Sequence, residues 1–286
     1  MSIAIGIDAG GTSTTAIASI DGKTSESITL GPANFAVDFN SAIATVKIAI
    51  EQVRFGKDVA SIVIGAAGAG DKSIRTRIRR ELSAYDSCEV YADTHVALRA
   101  AVPEGDGIVL IAGTGSIAYA EIGGEIFRAG GHGYAFGDEG SGFAIGKSAL
   151  QLLARATDGR VPRDAFIEEI AVAVPNMREF YALKNPAPTI ARLAPIVLAA
   201  ANRGERSASR IIQSAALDLA NLLKRMPGDQ QELPLVLAGG LFRENSLLTY
   251  LLETRIANEW PLWHVIKNPP PPYIGALRLA EKMHAG

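Results

Sequence analysis

The chain has 286 residues, of which 48% are hydrophobic and 20% are charged, and its formal net charge is −2. This is the composition of an ordinary globular protein, and the length suits one large or two medium domains. The near-neutral charge gives no electrostatic reason to expect nucleic acid or an anionic membrane as a partner. The only cysteine, Cys88, excludes an intramolecular disulfide and a thiolate-rich zinc or iron–sulfur site within one chain.

The N-terminal residues lack the pattern of a signal peptide, because no basic segment precedes a long apolar run. No uncharged apolar stretch reaches about 18 residues, so no membrane span is predicted. A reduced, cytoplasmic setting is the resulting expectation.

The first third of the chain predicts a sheet with helices between its later strands. Strands are predicted at residues 4–9, 14–20, 24–30, 60–64 and 89–92, and helices at residues 41–54, 72–84 and from residue 94 onwards. The first three strands are joined by a glycine turn and by a hairpin at Asp21–Gly22. Asp71 and Asp93 stand immediately before helices, at the position of a capping aspartate.

A second copy of the opening pattern begins at Gly107 and reads GIVLIAGTGSIAYAEIGGEIFRAGG. An apolar strand again leads into a Gly/hydroxyl turn, a second strand, a hairpin and a third strand. Alignment of Thr12 with Thr114 superimposes three apolar positions of the second strand and places Gly123–Gly124 on the first hairpin turn. This predicts an internal repeat, with chance similarity between short amphipathic strands as the alternative.

The rest of the second half is mostly helical over residues 141–226, with interruptions at Pro162, Pro175, Pro186 and Pro188. Two strand–helix pairs follow, predicted at residues 233–237, 244–257, 262–266 and after the prolines at 269–272. Each half is therefore a βββαβα unit, and the second carries the helical insertion. We expect two α/β lobes, residues 1–105 and 106–272, with the C-terminal helix 273–286 able to complete the first. The lobes would face each other across a central cleft into which both Gly/hydroxyl turns point.

The two Gly/hydroxyl turns are candidate phosphate-binding elements. Glycine lets main-chain N–H groups approach an anion without an intervening Cβ, and hydroxyl side chains add donors. The candidate residues are Gly10, Gly11, Thr12, Ser13 and Thr14 in the first turn and Gly113, Thr114, Gly115 and Ser116 in the second. Asp8 would then share a divalent metal with the phosphates. One such turn is usually only a hairpin, whereas the pair favours a clamp on the phosphates of one nucleotide.

A further glycine pair, Gly239–Gly240, ends the apolar run LVLAGGLF before a helix. Such a turn lets a flat ring or a phosphate approach the backbone, and a plain strand-to-helix turn is the alternative. The stretch GSGFAIGKS is not a P-loop, because Ser141 stands where that motif requires glycine.

Three other motifs supply polar side chains. Asp93 in YADTHVALRAA can serve both as a helix cap and as the carboxylate that accepts a proton from an attacking hydroxyl. The segment GGHGYAFGDEGSG, with His132 and Asp138, suits a polyhydroxyl ligand, and a merely flexible loop is the alternative. Asn34 in GPANF offers a bidentate amide for a pair of sugar hydroxyls, or is a turn asparagine.

With these motifs in order, the sequence resembles the superfamily of sugar kinases and actin-like ATPases. More closely, it resembles the branch that holds N-acetylglucosamine kinases, glucosamine kinases and BadF/BadG-type ATPases. The pair DAGGTST and AGTGS is typical of the superfamily, and GGHGYAFGDEGSG of the branch. The resemblance covers essentially the whole chain. It implies an α/β fold of two ribonuclease H-like (actin-like ATPase) lobes with a central cleft and a helical insertion in the second lobe.

The resemblance also implies a role for each candidate residue. Asp8 would hold Mg²⁺ through water, while Thr12, Thr114 and the neighbouring amides would hold the phosphates of ATP. Gly239–Gly240 would lie against the adenosine, and Asp93 would be the general base. The sugar would be contacted by Asn34, Gly131, His132 and Asp138.

The leading hypothesis is ATP-dependent phosphorylation of an amino sugar, N-acetylglucosamine or glucosamine, at its 6-hydroxyl, with ATP and Mg²⁺ as cofactors. A BadF-type activating ATPase would need two cysteines per chain to share an iron–sulfur cluster, and only Cys88 is present. A nucleotide-dependent sugar sensor on the same fold is the other alternative. Relatives often carry lysine at the position of Ser13, and whether the serine replaces that phosphate contact stays open, as do the identity of the amino sugar and a homodimeric state.

Overall fold

The computed structural model describes residues 2–285, except for the side chains of residues 2, 181 and 285. The chain divides into two compact units: unit 1 consists of Met1–Gly105 and Pro269–Gly286, and unit 2 of Asp106–Asn268. The C-terminal segment therefore returns to unit 1 after the chain has completed unit 2. Among the helices of residues 2–285, none is both long and apolar enough to cross a membrane.

Unit 1 is built on a mixed sheet with helices on both faces. Its elements are β1 (Ser2–Ala9), β2 (Thr14–Ile20), β3 (Lys23–Thr24), β4 (Ile28–Leu30), α1 (Phe39–Val53), β5 (Asp58–Ala66), α2 (Lys72–Glu81), β6 (Cys88–Ala92), α3 (Asp93–Ala101) and, at the C-terminus, α10 (Pro272–Ala285). The strand order is β3-β2-β1-β5-β6, and β4 also pairs with β2. Since β1, β5 and β6 are parallel, their carboxyl ends meet at one edge, where open α/β sheets bind ligands.

Alternate residues of β1 face different helices, as the period of a strand requires. The isoleucines of β1 lie in one core with α1 and α2, and the intervening residues face α3 and α10. A Cβ on Gly6 would overlap the backbone nitrogen of Leu277, so α10 lies directly against β1. A Cβ on Gly275 would overlap the carbonyl oxygen of Val96, so α3 and α10 also cross in close contact.

Unit 2 contains a second mixed sheet and the helical insertion. Its elements are β7 (Gly107–Ala112), β8 (Ser116–Ile122), β9 (Glu125–Gly130), α4 (Gly142–Thr157), α5 (Ala165–Ala173), a 3₁₀ helix (Met177–Ala182), α6 (Ala187–Ala191), α7 (Ala194–Asn202), α8 (Arg206–Leu223), β10 (Leu233–Ala238), α9 (Leu247–Glu259) and β11 (Trp263–Ile266). The strand order is β11-β10-β7-β8-β9. β8 pairs antiparallel with both β7 and β9, whereas β10 pairs in parallel with both β7 and β11.

The internal repeat predicted from the sequence is confirmed by the strand pairing. The first two strands of both units form antiparallel pairs, and in both sheets the first strand also pairs in parallel with the strand that follows the next helices. Both hairpins have positive φ at their two central residues, Asp21 (50°) with Gly22 (76°) and Gly123 (61°) with Gly124 (82°), which is the pattern of a type I′ turn. The second Gly/hydroxyl turn is one residue shorter than the first.

Two predictions about local structure in unit 1 are wrong. The third strand is divided into β3 and β4, because Ser25 makes both bonds to Ala18: its N–H donates to the carbonyl (2.8 Å) and its hydroxyl accepts the N–H (3.1 Å). Asp93 is the first helical residue of α3 and not its cap, since the cap position is Ala92. Asp71 does cap α2, accepting the N–H of Ser73 at 2.6 Å.

Candidate active site

Asp8 and Asp93 lie within electrostatic reach of each other at the carboxyl edge of the unit 1 sheet. Asp8 is the penultimate residue of β1 and pairs with Thr15 of β2 and Gly65 of β5. Asp93 follows β6 directly, and its Oδ1 accepts the N–H of Thr94 at 2.9 Å. The negative charge of Asp93 contributes to the raised pKa of Asp8. The pair therefore places two interacting carboxyl groups beside the first turn.

Gly65 makes this proximity possible. A Cβ at Gly65 would overlap Cγ2 of Val96, which lies three residues after Asp93 and thus one turn further along α3. The missing side chain lets the first turn of α3 approach β1 and β5. Sequence reasoning missed Gly65, although it opens the glycine-rich stretch GAAGAG, because a glycine alone does not indicate which neighbour occupies its space.

The pKa of Asp8 is raised from 3.8 to about 7, first by burial and then by the charge of Asp93. Such a site disfavours two bare carboxylates, and a divalent cation would relieve the repulsion. Mg²⁺ is commonly bound by one or two carboxylates together with substrate phosphates. No cluster of three or more His, Cys, Asp or Glu side chains that could hold a metal occurs in the described part of the chain. The Asp8–Asp93 pair therefore suits a Mg²⁺ ion whose other ligands include phosphate oxygens.

The first Gly/hydroxyl turn is closed by a hydrogen bond from the N–H of Gly10 to the carbonyl of Ser13 (2.9 Å). Gly11, Thr12 and Ser13 are exposed and open to a ligand. Thr14 differs, because its side chain is fully buried and its hydroxyl has no hydrogen-bond partner among the described residues. A phosphate contact through the Thr14 hydroxyl would therefore require a rearrangement of β2.

Asn34 lies beside the first turn, since the N–H of the preceding Ala33 donates to the carbonyl of Gly10 (2.9 Å). Its Oδ1 accepts the N–H of Ala36 (3.0 Å), as in an Asx turn. Its Nδ2 would be 3.6 Å from a Cβ at Gly11. The amide oxygen is thus engaged locally, and the amide nitrogen is the group directed towards the turn.

The second Gly/hydroxyl turn is held by the start of α4. Within the turn, the N–H of Gly113 donates to the carbonyl of Gly115 (2.9 Å). The N–H groups of Gly142 and Phe143 donate to the carbonyls of Gly113 (2.8 Å) and Thr114 (3.1 Å). The first N–H groups of α4 are therefore satisfied by the turn itself, in agreement with the absence of a P-loop at this helix.

Ser116 and Asp138, predicted to contact phosphate and sugar respectively, contact each other. The N–H of Ser116 donates to Oδ1 of Asp138 (3.2 Å), and its hydroxyl donates to the carbonyl of Glu139 (2.6 Å). Burial raises the pKa of Asp138, while the hydrogen bond from Ser116 and the nearby His132 oppose the shift. The sequence offered no sign of this pairing, because the two residues are on separate motifs.

The predicted sugar segment forms a loop, residues 131–138, which we call the glycine loop. It begins with a hydrogen bond from the N–H of Gly131 to the carbonyl of Ser116 (2.9 Å) and ends at Asp138. His132, Tyr134 and Phe136 are exposed between these points. Hydrogen bonds hold both ends of this loop, so the alternative of a merely flexible loop does not apply to the ends.

Gly239 brings a third backbone turn to the same place in unit 2. Its φ is +104°, and a Cβ would overlap the carbonyl of Ala112, the residue before the second turn. The same carbonyl accepts the N–H of Leu241 (3.2 Å). Gly240 is exposed, with nothing near its Cβ position. The main chain that follows β10 therefore packs against the end of β7 and is hydrogen-bonded to it.

Within unit 1 the structure brings together Asp8, Asp93, Asn34 and the first turn. Within unit 2 it brings together the second turn, Gly239–Gly240 and the glycine loop. Two hydroxyls predicted for phosphate, those of Thr14 and Ser116, are directed into the protein.

Three comparisons with known proteins show what this chain is similar to. A model of the BadF/BadG/BcrA/BcrD ATPase family matches residues 5–280. An N-acetylmuramic acid/N-acetylglucosamine kinase from Clostridium acetobutylicum is 30% identical over 243 residues, which are 77% of this chain and 77% of that protein. A glucosamine kinase from Vibrio cholerae is 30% identical over 170 residues, or 57% of this chain and 58% of that protein. The crystal structure of a candidate N-acetylglucosamine kinase from Chromobacterium violaceum has a TM-score of 0.85 and 26% identity, with 98% of this chain and 99% of that chain covered.

Proposed function

Because the chain belongs to the BadF/BadG/BcrA/BcrD ATPase family, we propose that it transfers the γ-phosphoryl group of ATP to the 6-hydroxyl of an amino sugar, N-acetylglucosamine or glucosamine. Both curated relatives described above are sugar kinases. The chain is a sugar kinase of the actin-like ATPase fold, which is the family and fold expected from the sequence. The observation that carries the proposal is the pair of Asp8 and Asp93 beside an open glycine turn. Phosphoryl transfer requires a carboxylate for the metal and a group that positions and deprotonates the acceptor.

The phosphates of ATP are assigned to the two turns. The groups that support this assignment are the amides and hydroxyls of Gly10, Gly11, Thr12, Ser13, Gly113, Thr114 and Gly115. Thr14 and Ser116 support the turns from within the protein. Gly240, exposed and without a side chain, is assigned with Gly239 to the adenosine.

Asp8 is the proposed ligand of Mg²⁺, through water. Mg²⁺ supplies charge neutralisation on the phosphates when bound. The pKa of about 7 means that the Asp8 carboxyl group gives up its proton on cation binding more readily at neutral or higher pH.

Asp93 is the proposed general base. As the 6-oxygen of the sugar forms its bond to the γ-phosphorus, the hydroxyl proton passes to the Asp93 carboxylate, and the bond from phosphorus to the bridging oxygen breaks to release ADP. The hydrogen bond from Thr94 holds one carboxylate oxygen in place (2.9 Å). Alignment of this kind can contribute roughly 7–11 kcal/mol of the lowered barrier.

The sugar contacts are assigned to Asn34, Gly131, His132 and Asp138. Asn34 contributes its amide nitrogen, because the oxygen is already bonded to Ala36. His132 is exposed at the start of the glycine loop, and its effect on Asp138 is to lower the pKa of that carboxyl group.

The alternative of an activating ATPase with an iron–sulfur cluster is disfavoured by Cys88. The thiol lies on β6 and is partly buried, and burial followed by the charge of Glu89 raises its pKa to about 12. A cluster ligand must be a thiolate. A nucleotide-dependent sugar sensor without phosphoryl transfer remains the second candidate, and turnover distinguishes it.

The test is ADP release with MgATP against glucosamine, N-acetylglucosamine, N-acetylmuramic acid, N-acetylmannosamine and glucose. Asp93→Asn should lower turnover by roughly 100- to 10,000-fold, the usual contribution of a general base. Asp71→Asn is the matched control, because Asp71 is an exposed helix cap that asparagine can replace. ADP release that no sugar stimulates, or full turnover in Asp93→Asn, contradicts the proposal.

A further inference from the structure

Ser116 directs all three of its polar groups to the glycine loop and the residue that follows it. Its carbonyl accepts the N–H of Gly131 (2.9 Å), where the loop begins. Its N–H donates to Asp138 Oδ1 (3.2 Å), where the loop ends, and its hydroxyl donates to the carbonyl of Glu139 (2.6 Å). One residue at the end of the second turn therefore fastens both ends of the loop.

The contact between Ser116 and Asp138 is buried and closely packed. Ser116 is 2% exposed and Asp138 is 9% exposed, so water competes little for the hydrogen bond between them, whereas the bond to Glu139 is partly buried. A Cβ at Gly115 would lie 2.8 Å from Asp138 Oδ1, so the carboxylate rests directly on the turn. Gly131 has φ of +68°, and a Cβ there would lie 2.6 Å from Ile117 Cδ1. A displacement of the turn must therefore displace both ends of the loop.

The tip of the loop is largely exposed, with one ring contact between Tyr134 and Phe143 of α4 (centroids 5.3 Å apart). The side chains of His132, Tyr134 and Phe136 are exposed, and that of Phe136 is 88% exposed. The tip is folded on itself by the N–H groups of Phe136 (3.1 Å) and Gly137 (2.8 Å), which donate to the carbonyl of Gly133. These two bonds make the tip a small closed turn.

We propose that Ser116 is a positioning residue that couples the two ligands: nucleotide phosphates on the second turn set the glycine loop for the sugar, and each ligand raises the affinity for the other. The inference rests on the proposed function, which assigns phosphate to this turn and sugar to this loop. A phosphate held by the turn restrains Gly113–Gly115, and the restraint passes through Ser116 to both ends of the loop. Coupling of this kind is reciprocal, since both affinities change by the same factor.

The experiment is a thermodynamic cycle by calorimetry. The Kd of N-acetylglucosamine, or of whichever amino sugar supports turnover, is measured with and without MgADP in the wild type, Ser116→Ala and Ser148→Ala. Ser148 is the matched control, because its hydroxyl donates to the carbonyl of Ala144 (2.9 Å) within α4 and has no bond to the loop. The wild type and Ser148→Ala should show a tightening by MgADP of at least about 5-fold, the lower end of ordinary coupling. Ser116→Ala removes the hydroxyl bond to the carbonyl of Glu139 and keeps both main-chain bonds, so the ratio should fall clearly below the wild-type value without reaching 1.

Ser116→Cys, nearly isosteric and with a weaker donor, should give an intermediate ratio, and it replaces the alanine variant if that fails to fold. A wild-type ratio retained in Ser116→Ala or Ser116→Cys overturns the inference, and so does a wild-type ratio of 1. Failure of the proposed function is recognised separately, because the wild type would then show no sugar-dependent ADP release.

Discussion

Replacement of Asp8 by asparagine is expected to remove a pH dependence from the stability of unit 1. The pKa of Asp8 is raised from 3.8 to about 7 by burial and by Asp93. A raised pKa means that the folded state holds this proton where the unfolded state has lost it. The free energy of unfolding therefore falls as the pH rises from about 4 to about 7, and it levels off above that range.

The magnitude follows from the linkage between proton binding and folding. Each pH unit in that interval costs about 1.4 kcal/mol, so wild-type stability should fall by about 3 kcal/mol between pH 5 and pH 8 from this group alone. Asparagine has a similar size and does not titrate. Relative to the wild type, Asp8→Asn should therefore gain about 3 kcal/mol across the same range.

The assay is urea unfolding without divalent metal at pH 5, 6, 7 and 8, followed by hydrogen exchange of β1 and β5 peptides. Both tryptophans, Trp260 and Trp263, lie in unit 2, so their fluorescence reports on that unit as an internal control. Asp86→Asn, at an exposed position, should follow the wild type. A difference between Asp8→Asn and the wild type that stays constant from pH 5 to pH 8 refutes the reasoning.

Three further predictions test the packing around the candidate site residues. Gly65→Ala should destabilise the chain by about 1–3 kcal/mol and lower turnover, because its Cβ would overlap Val96 Cγ2. Val96→Ala should restore turnover when added to it, and no rescue would count against the spacing argument. Thr14→Val should stabilise the chain by up to about 1–3 kcal/mol, because the Thr14 hydroxyl is buried without a partner among the described residues. The KM for ATP should not change. A large rise in KM would instead assign that hydroxyl to phosphate. Gly239→Ala should lower unit 2 stability in urea unfolding by at least about 1 kcal/mol through its φ of +104° and the Ala112 carbonyl, whereas Gly240→Ala, with open space around it, should change stability less.

Much of the fold could be predicted because its signals are local. The alternation of β2 and the turn pairs Asp21–Gly22 and Gly123–Gly124 indicate hairpins without reference to the rest of the chain. The third strand of unit 1 was predicted as continuous because nothing local marks the two bonds between Ser25 and Ala18. A cross-strand contact of a single serine interrupts the strand.

The candidate site was predictable by residue type but not by orientation. Asp8, Asp93 and the two turns follow from carboxylates and glycines at strand ends. Thr12 and Thr14 have the same side chain and lie two positions apart, yet Thr12 is exposed and Thr14 is buried. Their environments depend on where β2 begins and on what packs against it.

The sequence by itself determined the two repeated hairpin units, the glycine turns that follow their first strands and the supply of carboxylates, because each of these depends on neighbours in the chain. Only the tertiary structure decided that Val96 of α3 occupies the space beside Gly65, and that α10, from the far end of the chain, packs against Gly6. It also decided that Ser116 fastens the glycine loop. Such contacts join surfaces far apart in sequence, and the packing that selects them acts only when those surfaces meet.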